Sequence, residues 1–103
     1  MDAKAEQVTS IVRAFVDSIR GSFPVRSVFL FGSWADGRAC AGSDIDIGIV
    51  VEDSAPKGVG FDLYSLGKDY NQDFDVVVIT LKDFESEDPL IVHEIKTKGI
   101  LVA

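Results

Sequence analysis

Asp44 and Asp46 stand two residues apart in Ser43-Asp44-Ile45-Asp46-Ile47-Gly48-Ile49-Val50-Val51, and ten residues separate them from the pair Gly32-Ser33. The alternation predicts a strand over Ser43 to Val51. Side chains two apart on a strand share a face. Asp44 and Asp46 are therefore expected to project together, while Ile45, Ile47 and Ile49 face a core. Two neighbouring carboxylates repel, and each raises the other's pKa. A cation between them removes that cost. Magnesium suits the position, because it is a hard ion that takes one or two carboxylates plus substrate phosphates. At the other end, Gly32 closes an apolar run and permits close backbone approach. Ser33 offers a hydroxyl and a helix start, whose free N–H groups favour an anion.

A third acid comes from Phe74-Asp75-Val76-Val77-Val78-Ile79-Thr80. Asp73 and Asp75 share the face opposite Phe74, Val76 and Val78. If this strand lies beside the Asp44–Asp46 strand, three carboxylates converge, which calls for cations. Two-metal sites clamp the attacking and leaving oxygens of an in-line displacement at phosphorus, and a further acid can take the proton of an attacking hydroxyl. Asp75 is the better candidate because it lies inside the apolar run. Asp73 reads as a solvated strand-entry residue. Ser33 is no nucleophile, since nothing pairs it with His93. His93 has no Cys or His cluster around it for a metal role. Cys40, the single cysteine, excludes an internal disulfide.

The elements that must position these residues follow from periodicity. Residues 2 to 20 predict an amphipathic helix with Val8, Ile11, Val12, Phe15, Val16 and Ile19 on one face. Asp2 caps it and Gly21 ends it. Strands are expected over Val25 to Phe31, Ser43 to Val51 and Phe74 to Thr80. Ser33 to about Arg38 reads equally as a helical turn or a loop. Glu52 to Gly60 is a surface connection, Phe61 to Tyr70 a short helix weakened by Gly67, and Leu81 to Glu87 an acidic loop. Asp88-Pro89 opens a last helix ending near Lys98, and Ile100 to Val102 adds a short strand. The expected fold is α/β (α+β), one domain over residues 1–103, with a small mixed sheet and helices packed mainly on one face.

The chain has 103 residues, is 47% hydrophobic and carries a net charge of −7. That fraction supports a packed core rather than disorder. The acidic balance disfavours a passive grip on nucleic acid and suits a basic partner, or metal ions that bring nucleotide with them. No stretch approaches the roughly 20 apolar residues of a membrane helix, and no basic-then-apolar leader opens the sequence. A cytoplasmic location is the expectation.

Gly32-Ser33, ten residues, then Asp44-Ile45-Asp46 resembles the signature of the DNA polymerase beta-like nucleotidyltransferases. A Gly-Ser and an Asp-x-Asp at this spacing arise by chance in about one chain in a thousand of this size. The short length and the ending Glu94-Ile95-Lys96-Thr97-Lys98-Gly99-Ile100-Leu101-Val102 are similar to the minimal nucleotidyltransferase (MNT) branch. The resemblance covers nearly the whole chain and implies that Gly32 and Ser33 hold a triphosphate. It implies that Asp44 and Asp46 bind two magnesium ions and that Asp75 binds the catalytic one. Arg38 and Ser43 complete the nucleotide-side candidates. The implied reaction moves a nucleoside monophosphate, usually from ATP, with pyrophosphate leaving. The implied partner is a helical HEPN protein, often a ribonuclease toxin, which the MNT antitoxin adenylylates or simply binds. One departure stands out: family members commonly carry a basic residue where this chain has Asp36, and Arg38 is the nearest substitute. A module that neutralises a helical partner by occlusion, and a homodimeric enzyme for a small molecule, are the alternatives.

Overall fold

In a computed structural model that describes residues 3–40, 42–86 and 90–103, helix and strand alternate as far as β3, and two helices then precede the last strand. They are α1 (Ala3–Ile19), β1 (Val25–Phe31), α2 (Ser33–Asp36), β2 (Ile45–Val51), α3 (Val59–Tyr70), β3 (Phe74–Thr80), α4 (Leu81–Ser86), α5 (Leu90–Lys98) and β4 (Ile100–Leu101). The Asp2 cap and the Asp88-Pro89 helix start lie outside the described residues.

The four strands form a mixed sheet in the order β3-β2-β1-β4. β1 pairs antiparallel with β2 and with β4. β2 and β3 run parallel, because the connection between them crosses over through α3. The larger core lies on one face. There Val28, Leu30, Ile45, Ile47, Ile49, Phe74 and Val76 meet α1 and Leu63 of α3. The other face carries a smaller cluster of Phe31, Ile79, Val92 and Ile95, with Phe84 of α4 packed against it.

The predicted apolar stripe of α1 is buried at Val8, Val12, Phe15, Val16 and Ile19, but Ile11 is 39% exposed. At 100° per residue Ile11 lies about 90° from the centre of that stripe, and Ala5 and Thr9 take the inner positions instead. Gly67, which argued against a helix, is buried within α3. A Cβ there would stand 2.7 Å from Val76 Cγ2 and 3.8 Å from Phe15 Cζ. Glycine lets α3 settle against β3 and α1, so the residue that weakens the helix locally is required by packing. The helix also starts earlier than Phe61, at Val59, after Gly58 with φ 89°.

Residues 81 to 86 form a helix rather than an acidic loop. Its first turn is held by side chains: Asp83 N–H donates to Thr80 Oγ1 at 3.2 Å, and Lys82 N–H donates to Asp53 Oδ1 at 3.0 Å. These bonds satisfy amides that a helix start leaves unpaired. Phe84 then stacks on Phe29 with centroids 5.4 Å apart.

Candidate active site

The parallel register places Asp46 beside Asp75, and the antiparallel register places Phe31 on the other side of Asp46. These three side chains form one row on the face that α5 approaches. The next row is Phe29, Gly48 and Val77. A Cβ on Gly48 would stand 2.8 Å from Ile95 Cδ1, so α5 rests directly on β2 one row from the acids. Asp46 and Asp75 are both half-buried. Burial raises the pKa of Asp46, and the charges of Asp75, Asp44 and Glu94 raise it further. No described residue offers the Asp46 carboxylate a hydrogen bond or an ion pair. A half-buried acid held beside other acids is an electrostatic debt in the ionised protein.

Asp44 stands differently from the sequence expectation. The strand begins at Ile45, not Ser43, and Asp44 is exposed just before it. The β1 register ends at Phe31 and Asp46, so Ser43 and Asp44 lie beyond the β1 ladder. Ile45 N–H donates to Asp73 O at 2.7 Å, which starts the ladder to β3. Asp73 thus acts through its backbone at the strand entry. Asp44 remains close enough to act electrostatically on Asp46. Among the described residues no three His, Cys, Asp or Glu side chains are gathered tightly enough to hold a metal ion. The donor chemistry, all carboxylate oxygen with excess negative charge, fits a hard divalent cation.

Gly32 is where β1 turns into α2. Its φ of 70° and ψ of −148° suit glycine. A Cβ there would collide with Asp46 Oδ2. The acid and the glycine backbone therefore occupy one packed position. Gly32 O accepts from the Ala35 and Asp36 amides at 3.1 and 3.2 Å, and Gly37, with φ 83°, ends the turn. The segment is helical, which decides between the two readings left open. The half-buried Ser33 lies at its first position.

The return loop is pinned at both ends. Trp34 Nε1–H donates to Ser43 O at 3.4 Å. Ser43 Oγ accepts from Cys40 N–H at 3.0 Å, and Ser43 N–H donates to Cys40 O at 3.0 Å. Ser43, a nucleotide-side candidate, thus uses its hydroxyl to close a turn. Arg38 is engaged with the unexpected acid: its Nη2 lies 2.7 Å from Asp36 Oδ2, and its Nε donates to both Asp36 oxygens at 2.9 Å. Hydrogen bonding to Arg38 lowers the Asp36 pKa, and Asp36 raises that of Arg38. Both groups are exposed.

Two residues escaped the sequence reading. Glu94 acts electrostatically on Asp46 and Arg38, and Lys98 on Asp36. They lie four apart on α5, hence on one flank. That spacing is legible, but the flank's orientation comes from Ile95 seating on Gly48. His93 is exposed.

A family model described as polymerase beta, nucleotidyltransferase matches residues 16–103. The nucleotidyltransferase reading of the sequence agrees with it. No curated protein matches the chain. Among solved structures, a Sulfolobus solfataricus protein described as a candidate nucleotidyltransferase is similar at 21% identity and a TM-score of 0.66, over 94% of this chain and 80% of that one. A chain of a toxin-antitoxin complex with AMP-PNP is similar at 19% identity and a TM-score of 0.65, over 92% of this chain and 72% of that one. A chain of the complex between tri-AMPylated Shewanella oneidensis HEPN toxin and MNT antitoxin is similar at 18% identity and a TM-score of 0.59, over 96% of this chain and 71% of that one. These likenesses establish a shared fold. No helix among the described residues is long and apolar enough to cross a membrane.

Proposed function

The chain belongs to the polymerase beta nucleotidyltransferase family, and from that premise we propose that it transfers AMP from magnesium-bound ATP to a HEPN-type helical protein, as an MNT antitoxin in the cytoplasm. The observation that carries this reading is the Asp46–Asp75 register pair, with Asp46 packed onto the backbone of Gly32. It supports the reading by bringing Asp46 and its register partner to the Gly32-Ser33 turn. In this reading Gly32 and Ser33 seat the triphosphate, and Asp44, Asp46 and Asp75 are the metal ligands. Two magnesium ions, when bound, supply charge neutralisation and polarise phosphoryl oxygens.

The chain's own work is positioning and proton handling. The acceptor hydroxyl oxygen forms a bond to the α-phosphorus, and the bond from that phosphorus to the β-bridging oxygen breaks. Pyrophosphate leaves with that electron pair. Asp75, at the open side of the row, accepts the hydroxyl proton. The complex of a HEPN toxin with an MNT antitoxin, to which this fold is similar, supports a HEPN partner.

The test incubates the protein with labelled ATP, magnesium and a HEPN-type protein encoded beside it. Label is expected on that protein and is expected to vanish with Asp44→Asn/Asp46→Asn. No transfer by the wild type, or transfer equal in the double variant, refutes the reading. The Arg38–Asp36 pair favours a second reading, neutralisation by occlusion, because it occupies the candidate phosphate cation. There, neutralisation survives loss of the carboxylates.

A further inference from the structure

We propose that Trp34 is a positioning residue for Asp44: its indole N–H, reaching from the phosphate-side turn, fixes the peptide that aims the Asp44 carboxylate at a divalent ion. The inference rests on the metal and nucleotide reading above and deepens it. Asp44 precedes β2 and lies beyond the β1 ladder, so the sheet alone does not set the direction of its side chain. A peptide group is planar, so the two peptides that flank an α-carbon fix where its Cβ points. Both peptides around Asp44 are held. The peptide after it carries Ile45 N–H, which donates to Asp73 O at 2.7 Å. The peptide before it carries Ser43 O, which accepts from Trp34 Nε1–H at 3.4 Å.

The two tethers come from the two other parts of the site. Asp73 stands two residues before Asp75, and Trp34 directly follows Ser33. The segment that carries Trp34 is itself anchored. Ser33 O accepts from the Arg38 and Ala39 amides at 3.0 and 3.2 Å, and Trp34 packs against the larger core. The turn before Asp44 is closed by Cys40 N–H donating to Ser43 Oγ and Ser43 N–H donating to Cys40 O, each at 3.0 Å. Ser43 thus holds the loop with its hydroxyl and amide and presents its carbonyl to the indole. Packing does not enclose Trp34 on every side, since it lines a cavity of about 370 Å³ with Ala5, Ala35 and Ile100. The hydrogen bond therefore helps to orient the ring. The Asp44 side chain stays exposed, which leaves its oxygens open to a hard cation. At 3.4 Å the indole bond is long. Its leverage comes from acting on the backbone beside a metal ligand, as groups behind metal ligands do.

Binding of Mn2+ alone, standing in for magnesium, is measured by electron paramagnetic resonance for the wild type, Trp34→Phe, Asp44→Asn and the double variant Trp34→Phe/Asp44→Asn. The chain has one tryptophan, so benzothienylalanine, which copies the ring and lacks the N–H, can be placed at position 34 alone. Melting curves confirm that each protein is folded. Loss of one neutral hydrogen bond corresponds to about three- to fivefold in Kd. Trp34→Phe and the benzothienylalanine protein are each expected to weaken Mn2+ binding by that factor. In the Asp44→Asn background, Trp34→Phe is expected to change nothing further, since the indole acts through Asp44. Unchanged Mn2+ binding in the benzothienylalanine protein overturns the proposal, even where Trp34→Phe weakens it, because ring packing then carries the effect. An equal loss in both Asp44 backgrounds also overturns it. A wild type that binds no Mn2+ overturns the metal reading along with the proposal. A wild type that binds Mn2+ no better than the benzothienylalanine protein overturns the proposal alone.

Discussion

Replacing Asp46 by Asn should stabilise the protein when divalent ions are absent. Asp46 is half-buried, faces Asp75 across the parallel ladder, and has no hydrogen bond or cation among the described residues. Neighbouring strands lie about 4.8 Å apart. At that separation, with a nearly aqueous dielectric because both acids are partly exposed, the Asp46–Asp75 repulsion is about 1 kcal/mol. For a chain of this size, with an unfolding entropy of roughly 0.2 kcal/mol/K, that is a rise of about 4–5 °C in Tm. Circular dichroism melts in EDTA at pH 7 measure it directly. The sign of the pH dependence follows from the raised Asp46 pKa. The folded protein holds this proton more tightly than the unfolded chain does. Its contribution to stability is complete below the unfolded carboxylate value and is lost as pH rises through the folded one. The gap between Asp46→Asn and wild type should therefore close as the pH falls below the carboxylate range. Asp75→Asn should also stabilise, and the double variant should gain less than the sum, since both remove one shared repulsion. An Asp46→Asn variant that melts at or below the wild-type temperature in EDTA at pH 7 refutes the charge-crowding account.

Three further outcomes follow from packing. Gly67→Ala should destabilise by about 1–3 kcal/mol, read as a lower denaturation midpoint with an unchanged slope, because the added methyl meets Val76 at 2.7 Å. Gly32→Ala should cost about 1–3 kcal/mol from the backbone alone, because φ 70° with ψ −148° is a region essentially only glycine enters. It should also abolish AMP transfer in the labelled-ATP assay, because the methyl displaces the Asp46 carboxylate. Ile95→Ala removes a fully buried side chain from the contact between α5 and β2. It should cost about 2–5 kcal/mol in urea unfolding.

Much of the scaffold was legible from periodicity. β1 and β3 fall where alternation puts them, and the mixed sheet is as expected. Gly32 is readable because a glycine after an apolar run marks a turn. The reason it must be glycine, the carboxylate lying over it, is a contact between distant segments. Asp44 illustrates the limit at strand ends. Alternation extended the strand to Ser43, but the ladder on one side stops at Asp46 because β1 has already turned away. Helix α4 was hidden by its acids, although Thr80 three residues before Asp83 is a legible capping pattern. Its second cap, Asp53, lies 29 positions away and could not be read locally. Glu94 and Lys98 share a flank by spacing alone, but only the seating of Ile95 shows which way that flank turns.

The sheet is insulated unequally. Among the described residues, fifteen buried side chains fill the core beneath α1 and α3, whereas four hold the layer of α4 and α5. Segments with few buried apolar contacts detach at a fraction of the global unfolding free energy. Amide hydrogens of α5 should accordingly exchange by local lifting while those of β1 and β2 wait for complete unfolding. The Asp46–Asp75 pair stands one row beyond the seat of Ile95 on Gly48, so the acids border the lightly fastened layer while the strands that carry them belong to the firmly held one.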